Sequence, residues 1–231
     1  MEIVRNTKPD IVAAKALGAL LEQYAAEPIL LLLSGGSAFS FLDLVSRDNL
    51  GALVTIGVLD ERIDDRKSVN NFSQLTATKF FGDACSRGCS YIDTSVQGHK
   101  SLADMAARYD DAITLWLGEN GEEGKVIVTL GLGADGHTAG IFPGTVELLE
   151  TYTSNMVPLE VSKEINEFTK RVTATPHFLR TVVAAGVAYV VGEDKCPVLT
   201  DLIANEIETE DFPALIWHQI PNLTVVTSCQ E

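Results

Sequence analysis

Positive charge is what this chain has least of. Only 17 lysines and arginines stand against 32 acidic residues, leaving a formal net charge of −15 at pH 7. Duplex binding needs a positive footprint that releases counterions, so the charge argues against nucleic acid and no such partner is expected. Anionic membrane surfaces are disfavoured for the same reason. A small anionic ligand would be repelled at long range and would need a local cluster of Arg and Lys. Long apolar runs are missing too. No stretch reaches the roughly 18 residues of a spanning helix, and Met1-Glu2-Ile3-Val4-Arg5 lacks a signal-peptide core. Cysteine is sparse: Cys85, Cys89, Cys196 and Cys229. The C-S-R-G-C spacing fits neither a zinc ribbon nor a redox pair, and no His pair completes a metal set. No metal site is expected, and the cysteines read as reduced thiols of a cytoplasmic protein. Internal repeats, low-complexity tracts and long linkers are absent as well, so residues 1–231 are expected to form one domain.

What is present is an ordinary globular composition, 46% hydrophobic and 21% charged, which rules out wholesale disorder. The most informative stretch is Val126–Gly144, V-I-V-T-L-G-L-G-A-D-G-H-T-A-G-I-F-P-G. Val126 to Leu130 reads as a strand buried on both faces. Gly131, Gly133 and Gly136 then allow sharp turns and close approach to a ligand. Asp135 and His137 sit on that turn, past the carboxyl end of the strand, where open parallel sheets bind ligands. An imidazole there is a candidate general base, because histidine ordinarily titrates near neutrality. Residues 131–136 also fit the G-x-G-x-x-G dinucleotide pattern. That pattern should open a long helix, and Phe142-Pro143-Gly144 would end one within about two turns, which argues against a dinucleotide site.

Taken in order, Thr7-Lys8-Pro9-Asp10 looks like a helix start with a capping hydroxyl, and apolar residues at helical spacing continue toward Pro28. Ile29–Leu33 is a wholly apolar strand ending in Ser34-Gly35-Gly36-Ser37. Phe39, Phe41, Leu42 and Val45 then suggest a helix, giving the strand, Gly-Gly turn, helix geometry that aims backbone N–H groups at an anion. Val54–Leu59 is the next buried strand, with Asp60-Glu61-Arg62 at its end; Arg62 offers a five-donor fork to a phosphate beside the Ser34–Ser37 turn. Helices are expected over Phe72–Phe81, after Asn70-Asn71, and over Ser101–Leu117. Arg171–Thr175 alternates like a strand, Thr175-Pro176 caps a helix over Pro176–Ala185, and strands follow at Val187–Val191 and Leu223–Val226. His99 reads as an exposed loop residue, His177 as part of a helix's first turn.

Strands separated by helices give an α/β protein, a three-layer α/β/α sandwich around a mostly parallel, Rossmann-like sheet. Four polar strand ends (Ser34–Ser37, Asp60–Arg62, Asp135–His137 and Lys195) would then share one carboxyl edge. No G-x-S-x-G elbow surrounds Ser34 or Ser37, so neither reads as a nucleophile.

With these pieces assembled, the chain resembles the 6-phosphogluconolactonases, part of a wider sugar-phosphate group that includes the glucosamine-6-phosphate deaminases. The resemblance rests on S-G-G-S at 34–37, D-E-R at 60–62, Asn70-Asn71, G-L-G-A-D-G-H-T-A-G-I-F-P-G at 131–144, R-V-T-A-T at 171–175 and V-G-E-D-K at 191–195. It implies hydrolysis of 6-phosphoglucono-1,5-lactone to 6-phosphogluconate, in the pentose phosphate route, without a cofactor. His137 matches the family's base, acting on water. Arg62, Arg171 and Lys195 match positions contacting substrate phosphate and hydroxyls, together with the turn Ser34, Gly35, Gly36 and Ser37. Asp60 and Asp135 match acids with positioning roles. The deaminases carry a glutamate five residues after the motif histidine, where this chain has Phe142, and an aromatic residue where it has Arg62. Conversely, the tail from Phe212 through His218 to Val225 resembles the deaminases and would bring His218 to the border of the site if it docked there. Ala38-Phe39 also replaces the usual Thr-Pro. A deaminase-like enzyme and a non-catalytic sugar-phosphate sensor therefore stay open as alternatives.

Overall fold

The computed structural model describes residues 1–95 and 101–230; the loop reading of His99 lies outside them. The chain runs through β1 (Glu2–Arg5), α1 (Pro9–Gln23), β2 (Ile29–Leu33), β3 (Val54–Val58), β4 (Asp60–Arg62), α2 (Asn71–Thr76), α3 (Lys79–Ser86), β5 (Ser90–Tyr91) and α4 (Leu102–Asn120). It continues with β6 (Lys125–Gly131), α5 (Val146–Glu150), β7 (Met156–Glu160), β8 (Lys170–Ala174), α6 (Pro176–Thr181), β9 (Val183–Val190), α7 (Cys196–Ala204) and β10 (Leu223–Thr227).

Seven strands form one sheet in the order β1-β10-β9-β6-β2-β3-β5, and every neighbouring pair is parallel. Flanked by helices, with α1 packed on β9 and β10, it is the expected α/β architecture. All five residues of β2 are buried, which is why this strand carries no polar alternation. From β2 the chain proceeds outward to β3 on one side, whereas β6, its other neighbour, leads to β9 and β10 on the opposite side. Strand order therefore reverses between β2 and β6, and a crevice opens beyond their carboxyl ends. Ser34 N–H donates to Thr129 Oγ1 (2.9 Å), pinning the end of β2 to β6.

A second, antiparallel sheet, β4-β8-β7, was not anticipated. Asp60-Glu61-Arg62, expected only as the polar end of the preceding strand, is itself a strand paired with Arg171–Thr173. Other differences are local. After Gly36 (φ +68) the chain forms only short 3-10 turns over Gly36–Phe39, Leu42–Leu44 and Arg47–Asn49, because Val45 and Ser46 are extended and interrupt any helical ladder. The strand-turn-helix anion site expected there is a strand-turn. Phe72–Phe81 is split between α2 and α3, the Thr78 hydroxyl capping the latter. Thr175 caps α6 as expected, but that helix stops at Thr181: Val183 to Gly186 is drawn into β9 between β6 and β10, where sheet pairing overrides alanine's helix preference. Pro9 opens α1, while Thr7 supplies no cap; the cap position is Lys8, without a side-chain bond.

Two of the four cysteines are not the reduced thiols expected. Cys196 and Cys229 form a disulfide with Cα atoms 5.4 Å apart, while Cys85 and Cys89 are free. Each bonded cysteine follows the carboxyl end of a strand, Cys196 after β9 and Cys229 after β10. Those strands are parallel neighbours, so their loops emerge side by side. A sequence separation of 33 residues gives no hint of this.

Candidate active site

A cavity of about 190 Å³ lies at the carboxyl ends of β2 and β6 and is bordered by the small sheet. Ser34, Gly35, Gly36 and Ser37 line it from the β2 turn. Asp60 and Arg62 line it from β4, Arg171 from β8, and Lys195 from the turn after β9. Gly131, Gly133 and His137 complete the wall below β6, with Ala139 and Gly140 beyond. Every expected site residue except Asp135 is therefore on this one surface.

Asp135 reaches the cavity through His137. Its Oδ1 is 2.5 Å from His137 Nδ1 and also accepts the His137 backbone N–H at 3.2 Å. Partial burial alone would push the Asp135 carboxyl up, but the hydrogen bond and charge of His137 outweigh it and bring the carboxyl down to about 2. The pair explains Gly133: a Cβ there would overlap the His137 ring and come within 2.5 Å of Asp135 Oδ1. The loop returns through Ala139 (φ +50) and Gly140 (φ +77), a two-residue turn between the bridged Thr138 and Ile141. The His137 ring packs on Phe142, centroids 4.8 Å apart and 33° between planes.

The cations are held differently. Arg171, 3% exposed, donates from Nη1 to Asp60 Oδ2 (3.1 Å) and from Nη2 to Asn166 Oδ1 (3.0 Å), with its guanidinium 4.8 Å from the Phe142 ring centre. Burial lowers its pKa from the ordinary value, against the pull of Asp60. Arg62 lies over Phe168 at 5.1 Å. Lys195 Nζ is 3.2 Å from Asp194 Oδ2. Ser34 Oγ, Arg62 Nε, Asn71 Oδ1 and Arg171 Nε are all buried without a hydrogen-bond partner, and all four residues line this cavity. Buried polar groups are ordinarily paired, so their concentration here marks a wall built for a polar ligand.

Several residues of the site have no role in the sequence reading, although Asn71 and Glu61 fall in its quoted motifs. Asn71 lines the cavity and donates from Nδ2 to Asp60 O (2.8 Å). Glu61, 1% exposed, accepts from four donors; burial still pushes its carboxyl up to about 7. Trp217 donates from Nε1 to Thr138 Oγ1 (3.0 Å), which donates to Gly131 O (3.0 Å), and Ala214 N–H bonds Gly136 O (3.0 Å). The tail thus clamps the His137 loop from behind, while His218 turns away to Leu202 O (2.8 Å) and does not line the cavity. The place of Phe142, five positions past His137, was readable; its role as a shared platform for His137 and Arg171 was not.

A histidine paired with a carboxylate shares one polar cleft with guanidinium and ammonium groups on an α/β fold, an arrangement chemically suited to a small anionic ligand. The sequence profile of the glucosamine-6-phosphate isomerases/6-phosphogluconolactonase family matches residues 10–225, and the chain belongs to that family. Among solved structures it is similar to 6-phosphogluconolactonases from three organisms. That of Trypanosoma cruzi has 23% identity and a TM-score of 0.76, with 98% of this chain and 93% of that one covered. For Shewanella baltica OS155 the values are 17%, 0.78, 98% and 95%, and for Plasmodium vivax 15%, 0.78, 99% and 90%. At such identities the likeness is one of fold. No curated protein sequence matches significantly.

Proposed function

We propose that the chain hydrolyses 6-phosphoglucono-1,5-lactone to 6-phosphogluconate, as a cofactor-free step of the pentose phosphate route. The observation that carries this reading is the Asp135–His137 pair in the same cavity as Arg62, Arg171 and Lys195. With Nδ1 engaged by Asp135, Nε2 is the nitrogen left to accept a proton. It takes one from water as the water oxygen attacks the lactone carbonyl carbon. The imidazolium formed is stabilised by the Asp135 carboxylate. Collapse of the tetrahedral intermediate breaks the bond from that carbon to the ring oxygen, which leaves with the proton from Nε2. A lactone is an activated ester, so a base worth roughly 10²–10⁴-fold suffices without a covalent nucleophile.

At the other end of the substrate, Arg62, Arg171 and Lys195 hold the phosphate with the Ser34–Ser37 turn, Asp60 keeping Arg171 in place. Phe142 supports the hydrolase over the deaminase, because an apolar ring shared by His137 and Arg171 stands where a deaminase would need an acid. Residues 1–231 act in this reading as one sugar-phosphate domain. Its setting in this reading is the cytoplasm. Among the described residues, no helix is long and apolar enough to cross a membrane.

The test is His137→Ala in a direct lactone-hydrolysis assay corrected for spontaneous opening. Turnover is expected to fall on the order of 10²–10⁴-fold with the fold intact; near-normal kcat would overturn the base assignment. Ammonia release from glucosamine-6-phosphate, without lactone hydrolysis, would replace the reading by a deaminase.

A further inference from the structure

We infer that Glu61 is a positioning residue for the phosphate-holding wall of the cleft, acting through Arg62 and Asn71. For its substrate this inference rests on the lactonase reading above.

The Glu61 carboxylate is tied at both oxygens. Oε1 accepts the backbone N–H groups of Arg62 (2.7 Å) and Asn71 (2.6 Å); Oε2 accepts Phe72 N–H (2.9 Å) and the Thr94 hydroxyl (3.0 Å). Asn70 sits at the cap position of α2, but its side chain makes no cap bond. It donates instead to Arg62 O (2.6 Å) and Asp64 O (3.2 Å). The open N–H groups of Asn71 and Phe72 are therefore satisfied by a carboxylate from another element, ten residues earlier for Asn71. Asn71 closes the lock by donating to Asp60 O. All three residues of β4 are thus bonded to the start of α2 or the residue before it.

This lock sets two cleft groups at once. Arg62 takes its backbone position from the Glu61 bond. Asn71, with its amide nitrogen spent on Asp60, directs its unpartnered oxygen against Gly35, leaving no room for a Cβ there. The Ser34–Ser37 turn and Arg62 are consequently spaced from each other through one buried carboxylate. The His137 loop takes no bond from it, so the effect should fall on binding rather than on the chemical step.

The experiment compares Glu61→Gln and Thr94→Val with the wild type on the phosphorylated lactone and on glucono-1,5-lactone. Gln retains an oxygen for Arg62 and Asn71 but sets an amide N–H against that of Phe72; Val deletes a single donor and keeps the volume. For Glu61→Gln, KM for the phosphorylated lactone should rise about tenfold with kcat within about twofold, the pattern of a lost interaction that ground state and transition state share. Kinetics on glucono-1,5-lactone should stay near wild type, and Thr94→Val should move the same way by less. A purely structural cap would lower the melting temperature of both variants and leave the ratio between the two lactones unchanged. That result overturns the inference, as would a fall in kcat at constant KM. Calorimetric titration with 6-phosphogluconate separates the two levels. If the wild type binds it without turning over lactone, the proposed reaction fails, and Glu61 is judged by whether both variants bind more weakly. Equal affinities overturn its role, and no binding by the wild type overturns both.

Discussion

Arg62 and Arg171 sit directly opposite each other in the β4–β8 pair, two guanidinium side chains on adjacent strands lining one cavity. Like charges facing across strands repel, and Asp60 engages only Arg171. A bound phosphate would remove that repulsion, so the arrangement is costly when empty and favourable when filled.

Arg62→Ala should therefore remove most of the affinity for phosphorylated lactone while leaving turnover of bound substrate largely intact. In the wild type, 6-phosphogluconate at about 100 times its Kd should raise the unfolding free energy by about 2.7 kcal/mol. The same ligand concentration should raise the variant's melting temperature much less. Equal losses of activity on phosphorylated and unphosphorylated lactones would remove Arg62 from the phosphate site.

Asp135→Asn preserves shape and abolishes charge. Without the carboxylate, the imidazolium loses its charged partner and the amide can hold the ring in the wrong tautomer, so kcat should fall on the order of 10²–10⁴-fold with little change in KM. A variant with unaltered kcat would show that Asp135 only shapes the loop.

The same carboxyl makes a stability prediction. It ordinarily titrates near 3.8 and lies at about 2 in the folded chain. As pH drops, the unfolded chain takes up this proton first. The contribution of Asp135 is hence complete above pH 3.8 and is lost as pH falls from 3.8 toward 2. Urea midpoints measured across that interval should decline more steeply for the wild type than for Asp135→Asn. Parallel declines would contradict the His137 pairing as the cause.

Thiol titration checks the bridge between the β9 and β10 loops. Denatured, unreduced protein should expose two free thiols, Cys85 and Cys89, and all four cysteines only after reduction. Cys229→Ser should cost about 2–4 kcal/mol of stability. Four reactive thiols without reductant would mean that Cys196 and Cys229 are unpaired.

Much of the fold was legible because buried parallel strands are unbroken apolar runs: Ile29–Leu33 appears in the chain as it does in the sheet, and Val126–Leu130 differs only by a residue at each end. Expectations failed where intrinsic preference and context disagree. Ala184 and Ala185 suit a helix but are captured by β9, and Asp60–Arg62, a charged triplet with no strand pattern, finds a partner strand 111 residues away in Arg171–Thr173.

The sequence alone determined which chemical groups this protein has to work with: a glycine-flanked histidine and aspartate at a strand end, and a few cations in a chain otherwise rich in acid. Those are properties of local spacing and composition, and they do not depend on packing. Only the tertiary structure decided that Arg62 faces Arg171, that Glu61 fastens β4 to α2, that Phe142 lies beneath both His137 and Arg171, and that Cys196 meets Cys229. Each depends on contacts between residues far apart in the chain. Such contacts are set by strand order and register, which minimise the free energy of the whole molecule and leave no local trace in the sequence.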